Sequence, residues 1–195
     1  MELTQEQKSK SKKLLWNALS VLLVIACVIG AYFLSNALFM TIPVSGTSMV
    51  ETVQDGDNVI LFKPGKYRRG DVVVFNTHVQ TEKGESHYIK RIIALPGDTV
   101  EIKKEGAGYF IFVNDVQIDE SYLGGNVRAR ESDVHEKRVV PDGCFYFCGD
   151  NRVNSLDSRS GMWGKMDSIL GRVILKYDAD AGFLSDLTVV KRVKA

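Results

Sequence analysis

Net charge is nearly absent from this sequence: 25 Lys and Arg stand against 24 Asp and Glu, a formal balance of +1. A chain without a basic excess does not suit a nucleic-acid backbone, and there is no acidic tail. Cysteine is scarce too. Cys27 lies in an apolar run, while Cys144 and Cys148 flank Phe145-Tyr146-Phe147. On an extended strand such a pair sits about 13 Å apart, beyond disulfide reach, so both read as packing residues. No His, Cys or acidic set has metal-ligand spacing, and no cofactor is expected. Repeats, low-complexity tracts and long amphipathic helical periods are missing as well, which leaves short strands as the building material. A length of 195 residues accommodates one compact domain with a small elaboration.

One long apolar run is present. From Leu14 to Met40 no residue is charged, and about 20 apolar residues suffice to cross a bilayer as a helix. A cleaved secretory signal has a shorter apolar core, so residues 14–40 are expected to be an uncleaved transmembrane anchor, although Ser35-Asn36-Ala37 offers a small-x-small site. Lys8, Lys10, Lys12 and Lys13 precede the run and no charge follows it before Glu51. The positive-inside bias then makes residues 1–13 a cytoplasmic tail and residues 41–195 an extracytoplasmic domain.

Beyond Pro43, strand-like segments alternate with turn signals. They run over Val59 to Phe62, Val72 to Phe75, Tyr88 to Leu95, Val100 to Lys103, Tyr109 to Val113, Phe145 to Cys148 and Arg172 to Tyr177. Lys63-Pro64-Gly65, Pro96-Gly97-Asp98, Asn114-Asp115 and Asp142-Gly143 separate them, so the exported part is expected to be mainly β. The more polar stretch at about 101–138 reads as a small inserted subdomain, with a hairpin turning at Asn114-Asp115.

Strand alternation puts Tyr88, Lys90, Ile92 and Ala94 on one face, and Ile89, Arg91, Ile93 and Leu95 on the other. Lys90 is thus a cation on an apolar face. Either its ammonium snorkels to water or burial lowers its pKa and leaves a neutral amine able to take a proton. Moving it from about 10.4 to about 8 needs roughly 3 kcal/mol, within what burial supplies. A serine hydroxyl requires such a base, and Ser48 stands beside Gly46 and Thr47, small residues that let a substrate backbone approach and leave the Ser48 amide free for an oxyanion. His78, His87 and His135 could in principle serve a Ser-His-Asp arrangement instead, but none lies in a recognisable cluster.

Four clusters carry a resemblance: Ser45-Gly46-Thr47-Ser48-Met49, Arg69-Gly70-Asp71, Tyr88 through Asp98, and Gly149 through Arg159. In this order, after one apolar segment, the chain resembles bacterial type I signal peptidases of the shorter, Gram-positive-like kind. The resemblance implies a mainly antiparallel β catalytic domain with a small β insertion behind one transmembrane helix. It makes Ser48 the nucleophile, Lys90 the general base and Ser155 the residue that orients the lysine. Asp150, Arg152, Asp157 and Arg159 become a polar scaffold beneath the site, and Val44, Met49, Tyr88 and Ile89 the shallow apolar surface for substrate.

The implied enzyme is a membrane-bound serine endopeptidase that removes N-terminal signal peptides from exported preproteins, after Ala-x-Ala. Its partners would be those preproteins, the lipid bilayer and the secretion channel. The tether from Met40 to Ser48, about 27 Å at full extension, would keep the serine near the membrane surface. The alternative is an inactive relative that assembles surface structures such as pili, which would be expected to have lost the serine or the lysine. A self-cleaving repressor needs a DNA-binding domain where the apolar run stands. Two positions depart from the family pattern. Glu51 occupies a place where the family usually has proline, and Gly46 one where some members carry an oxyanion-binding serine.

Overall fold

The structure, a computed structural model, describes residues 5–81, 84–125, 128–178, 180–181 and 187–192; for residues 5–11, 78–81 and 84–85 it describes the backbone alone. The chain divides into two compact units, Met1–Phe39 and Met40–Ala195. The first consists of α1 (Gln5–Leu38). From Lys12 to Leu38 this helix is long and apolar enough to cross a membrane, and its large apolar side chains, Leu22, Leu23 and Phe33 among them, are exposed. The helix stops short of Met40, where the apolar run ends. Phe39 and Met40 pass into β1 (Phe39–Pro43), because β-branched Thr41 and Ile42 and then Pro43 favour extended backbone over a further helical turn.

The second unit is built of two antiparallel sheets. The larger contains β1, β2 (Asp57–Phe62), β3 (Val72–Thr81), β4 (Gly84–Ala94), β9 (Cys144–Cys148), β10 (Gly164–Lys165), β11 (Ile169–Asp178) and β12 (Thr188–Val189). Its order is β1-β2-β11-β3-β4-β9-β10, with β12 added to β11. The smaller sheet contains β5 (Thr99–Glu105), β6 (Gly108–Val113), β7 (Val116–Gln117) and β8 (His135–Val139), in the order β7-β6-β5-β8. The hairpin at Asn114-Asp115 is present: both residues take positive φ (52° and 68°), and Val113 pairs with Val116 across them, as a two-residue turn with an Asn lead requires.

Alternation along β4 sorts the core. Ile92 joins Val73, Phe75, Phe145 and Phe147 in one cluster. Ile93 joins Val100, Ile111 and Tyr146 in a second, which the two sheets share. Cys144 and Cys148 are both free, and burial pushes the Cys148 thiol well above its ordinary pKa, which makes it an inert packing group. His135 is a packing residue too, buried with its Nε2 3.1 Å from the Tyr146 hydroxyl.

The connection from β1 to β2 is pinned at both ends: the Val44 N–H donates to Asp57 O (2.8 Å) and the Gly46 N–H to Asp55 Oδ1 (2.7 Å). Within it, Thr52 and Val53 both donate their N–H to Met49 O (2.9 Å). Glu51 lies in that tight turn at φ 94°, a left-handed conformation that a side chain resists and a proline ring, locked near −65°, cannot take. The turn here is therefore built differently from one that accommodates proline. Glu51→Gly is expected to raise stability by up to about 1 kcal/mol, whereas Glu51→Pro should lower it by more than about 1 kcal/mol. Urea unfolding of the two variants beside the parent tests the sign of both changes.

Candidate active site

β4 delivers Lys90 to the interior. Its cross-strand partner is Val73 in β3, and it shares its face with buried Ile92, so the lysine stem has no path outward; the residue is only 4% exposed. Lys90 Nζ lies 2.5 Å from Ser48 Oγ and 3.1 Å from Ile89 O, and 5.1 Å from the Tyr88 ring centroid. Burial lowers its pKa from 10.5 to about 8, against the opposing pull of Asp157, Cys148 and Asp150. The base and the nucleophile inferred from sequence are thus in contact, and the base is only weakly basic.

Ser48 is held by the loop that follows β9. The Asn151 N–H donates to Ser48 O (2.9 Å), Asn151 Nδ2 to Thr47 O (3.0 Å) and Asn154 Nδ2 to Thr47 Oγ1 (2.9 Å). Contact is so close that Gly149 has no room for a side chain: a Cβ there would lie 2.3 Å from Ser155 Oγ and 2.5 Å from Ser48 O. The Ser48 N–H meets no acceptor among the described residues, which leaves it free to donate to an incoming oxygen.

Beneath the loop lie the charged residues. Asp150 receives Arg91 in a two-point bridge, Nε to Oδ1 at 2.9 Å and Nη2 to Oδ2 at 2.6 Å, and the Thr52 hydroxyl donates to it at 2.5 Å. Arg152 pairs with buried Glu120 and donates to Gly149 O (3.0 Å), Arg128 O (2.7 Å) and the Tyr122 hydroxyl (2.9 Å). Asp157 accepts the Gly149 N–H (3.0 Å) and both Nε and Nη2 of Arg159 (2.8 and 2.9 Å). Burial alone would raise the Asp157 carboxyl; Arg159 and the Gly149 amide outweigh it and hold the group below its ordinary pKa.

The remaining expectations fare differently. The Ser155 hydroxyl is buried beside Asp157, whose carboxyl it helps hold below its ordinary pKa, whereas among the described residues the partners of Lys90 Nζ are Ser48 and Ile89 O; the expected bond from Ser155 to the lysine is not among these contacts. Val44 and Ile89 do line one cavity of about 550 Å³, together with Ile42, Val59, Val74 and His87. Met49 and Tyr88 do not. Met49 is fully buried under the nucleophile turn, where its sulfur accepts the Asp150 N–H at 3.4 Å. Tyr88 points to the other side of the sheet, edge-on to Phe75, because neighbours in a strand face opposite ways. His87 reaches the cavity but no histidine contacts Ser48 among the described residues, and the side chain of His78 lies outside them.

Arg91, Thr52, Asn151 and Asn154 were given no role from sequence. Arg91 carried a usable signal: a guanidinium between Ile89 and Ile93 on a buried face implies a carboxylate partner. Thr52 and the two asparagines had none, since short polar residues in loops ordinarily face water.

A family model described as signal peptidase, peptidase S26, matches residues 15–177. Signal peptidase I of Bacillus licheniformis is 35% identical over 170 residues, 80% of this chain and 85% of that protein. Signal peptidase I S of Bacillus subtilis (strain 168) is 36% identical over 168 residues, 80% of this chain and 84% of its own. A crystal structure of a signal peptidase I from Enterococcus faecalis covers 55% of this chain and 97% of that one, at 28% identity and a TM-score of 0.42; the fold described above rests on the strands themselves. With relatives above one third identical across four fifths of its length, the chain belongs to the peptidase S26 signal peptidase family and is a serine peptidase.

Proposed function

We propose that this peptidase removes signal peptides from exported preproteins with a Ser48–Lys90 dyad, at a membrane to which α1 anchors it. The observation that carries the reading is the 2.5 Å contact between Ser48 Oγ and the buried Lys90 Nζ. Neutral Lys90 accepts the Ser48 proton as Oγ attacks the scissile carbonyl, and the Ser48 N–H donates to the oxyanion. The lysine ammonium then protonates the departing amine, and an ester to Ser48 remains. Lys90 next takes a proton from water, the water oxygen attacks the ester, and Ser48 recovers its hydrogen. Relatives named signal peptidase I support the substrate class. The basic residues before α1 favour a cytoplasmic N-terminus and an extracytoplasmic peptidase unit. The inactive assembly-factor reading is not favoured, because serine and lysine are both present and in contact.

Ser48→Ala and Lys90→Ala are each expected to abolish processing of a preprotein while the chain stays in the membrane. Residual turnover at more than trace level in Ser48→Ala would remove the serine from the mechanism.

A base of pKa about 8 is neutral in roughly one molecule in ten at pH 7. The ratio kcat/KM should therefore rise with pH along a limb centred near 8 and then level; a limb near 6.5 would indicate histidine instead. The same group affects stability. Between about 8 and 10.5 the unfolded lysine holds a proton that the folded one has lost, so stability climbs across that window and is lower beneath it. Lys90→Met should accordingly stabilise the fold at pH 7, by up to roughly 3 kcal/mol, with the gain shrinking toward pH 10. Melting curves at the two pH values read both signs.

The cavity of Val44, Val59, Val74 and Ile89 borders β1, the edge strand of the larger sheet. A substrate laid extended beside that edge would be held by main-chain bonds and would turn alternate side chains into the cavity. Cleavage is expected after Ala-x-Ala. Leucine at the first or third position before the cut should lower kcat/KM roughly 10- to 100-fold by overpacking, and the middle position should tolerate most residues. A preprotein set varied at the three positions checks this, and equal sensitivity at the middle position would overturn the extended-strand arrangement.

A further inference from the structure

A second cavity, of about 270 Å³, opens between the connection that joins β2 to β3 and the residues that follow β12. Lys66 and Arg68 border it from the connection, Arg172 from β11, and Arg192 from beyond β12, with Phe62 and Tyr67 completing the wall. None of these residues lines the cavity of Val44 and Ile89.

Its charge is unbalanced. Among the described residues the carboxylate that these cations meet is that of Asp71, whose side chain is fully buried. Asp71 accepts the backbone N–H of Arg68 at 2.8 Å, Nε and Nη2 of Arg192 at 2.5 and 3.3 Å, and lies 3.6 Å from Nη1 of Arg172. Arg69, next in the chain, is turned away and bridged to Asp98. Four positive groups therefore face one cavity with a single buried negative charge behind them. A guanidinium has five N–H donors. Arg192 commits two of its own to Asp71 and Arg172 makes only a long contact, which leaves donors from both for another partner. Held together with one counter-charge for four cations, such groups repel one another; an anion between them converts that repulsion into charge-assisted hydrogen bonds.

We propose that this cavity binds a phosphate group, carried by a phospholipid headgroup or by a free phosphate. The chemistry favours phosphate over carboxylate. Its oxygens point to tetrahedral corners and can each meet a different cation, whereas two coplanar carboxylate oxygens are served by one arginine fork, as Asp71 already is.

The full chain in an uncharged detergent is the material for the test. Its melting temperature is followed against inorganic phosphate, with chloride at matched ionic strength as control, and against dihexanoylphosphatidylglycerol, with phosphate-free dihexanoylglycerol as control. A saturable rise with phosphate, with phosphatidylglycerol or with both is expected. The double variant Lys66→Gln/Arg68→Gln should weaken that binding at least about tenfold and leave the melting temperature without anion unchanged, because both side chains are exposed and the Asp71 contact is made by the Arg68 backbone. Arg172→Gln should weaken it likewise. Response to phosphate alone assigns a free anion, to phosphatidylglycerol alone a headgroup, and to both a site open to either. No saturable response to either probe, or equal affinity in parent and double variant, overturns the proposal.

Discussion

The bridge between Arg91 and Asp150 ties together segments of the peptidase unit that lie far apart in sequence. Arg91 directly follows the proposed base on β4, and Asp150 begins the loop that clamps the proposed nucleophile. Thr52, from the nucleophile turn itself, shares the Asp150 carboxylate, Gly70 O accepts Nη1 of Arg91 at 2.8 Å, and the Tyr122 ring lies 4.3 Å beneath the guanidinium. Both charged side chains are 1% exposed or less. A buried pair of this kind adds little net stability, since desolvation offsets the attraction, but removing one partner strands a charge at a cost of about 3–5 kcal/mol. Its value is in registration. Five segments distant in sequence must arrive together for the pair to be satisfied, and one arrangement of Ser48 against Lys90 comes with them.

The clamp over that bridge works by shape as much as by hydrogen bonding. With no side chain at Gly149, the loop after β9 lies directly on the Ser48 carbonyl, and Asn151 and Asn154 then hold the two residues that end at the nucleophile. Glu51 at positive φ lies on the opposite flank of the same turn. Backbone strain of this kind persists only where the surroundings over-determine the loop, and the Asn151, Asn154 and Thr52 contacts supply that constraint.

How far the sequence could be read follows from where each signal lies. Most strands of the two sheets announced themselves as apolar runs bounded by Gly, Pro, Asn and Asp, and alternation along residues 88–92 separated the faces; beyond Ile92 a register shift in the pairing of β4 with β9 turns Ala94 into the cluster of Ile93 and Leu95 into that of Ile92, the reverse of the expected faces. β1 went unseen because its apolar residues continue the run of α1 without a break. β8 was missed because His135-Glu136-Lys137-Arg138 is polar and exposed apart from His135, and β12 because two residues carry no period. The resemblance alone groups Tyr88 with Ile89 in one substrate surface; in the structure Ile89 borders the cavity and Tyr88 packs edge-on against Phe75. Met49 too is assigned to the substrate surface by the resemblance alone, yet a long flexible thioether is well suited to fill the gap under a tight turn, and here it is fully buried. The charged scaffold was visible only as residue types; which arginine meets which carboxylate depends on contacts far apart in sequence, such as Arg91 with Asp150, that no local pattern encodes.

The electrostatics of Lys90 explain why the scaffold is built of pairs. Two carboxylates, Asp157 and Asp150, act on the lysine and favour its charged form. Unpaired, either would press that preference harder. Each is instead bridged to its own arginine, Asp157 to Arg159 and Asp150 to Arg91. The positive partner opposes the field of its carboxylate; burial remains the largest influence on the lysine, and the pKa falls to about 8. The arginines need not touch Lys90 to matter: by pairing the anions beneath it, they leave burial to decide its charge.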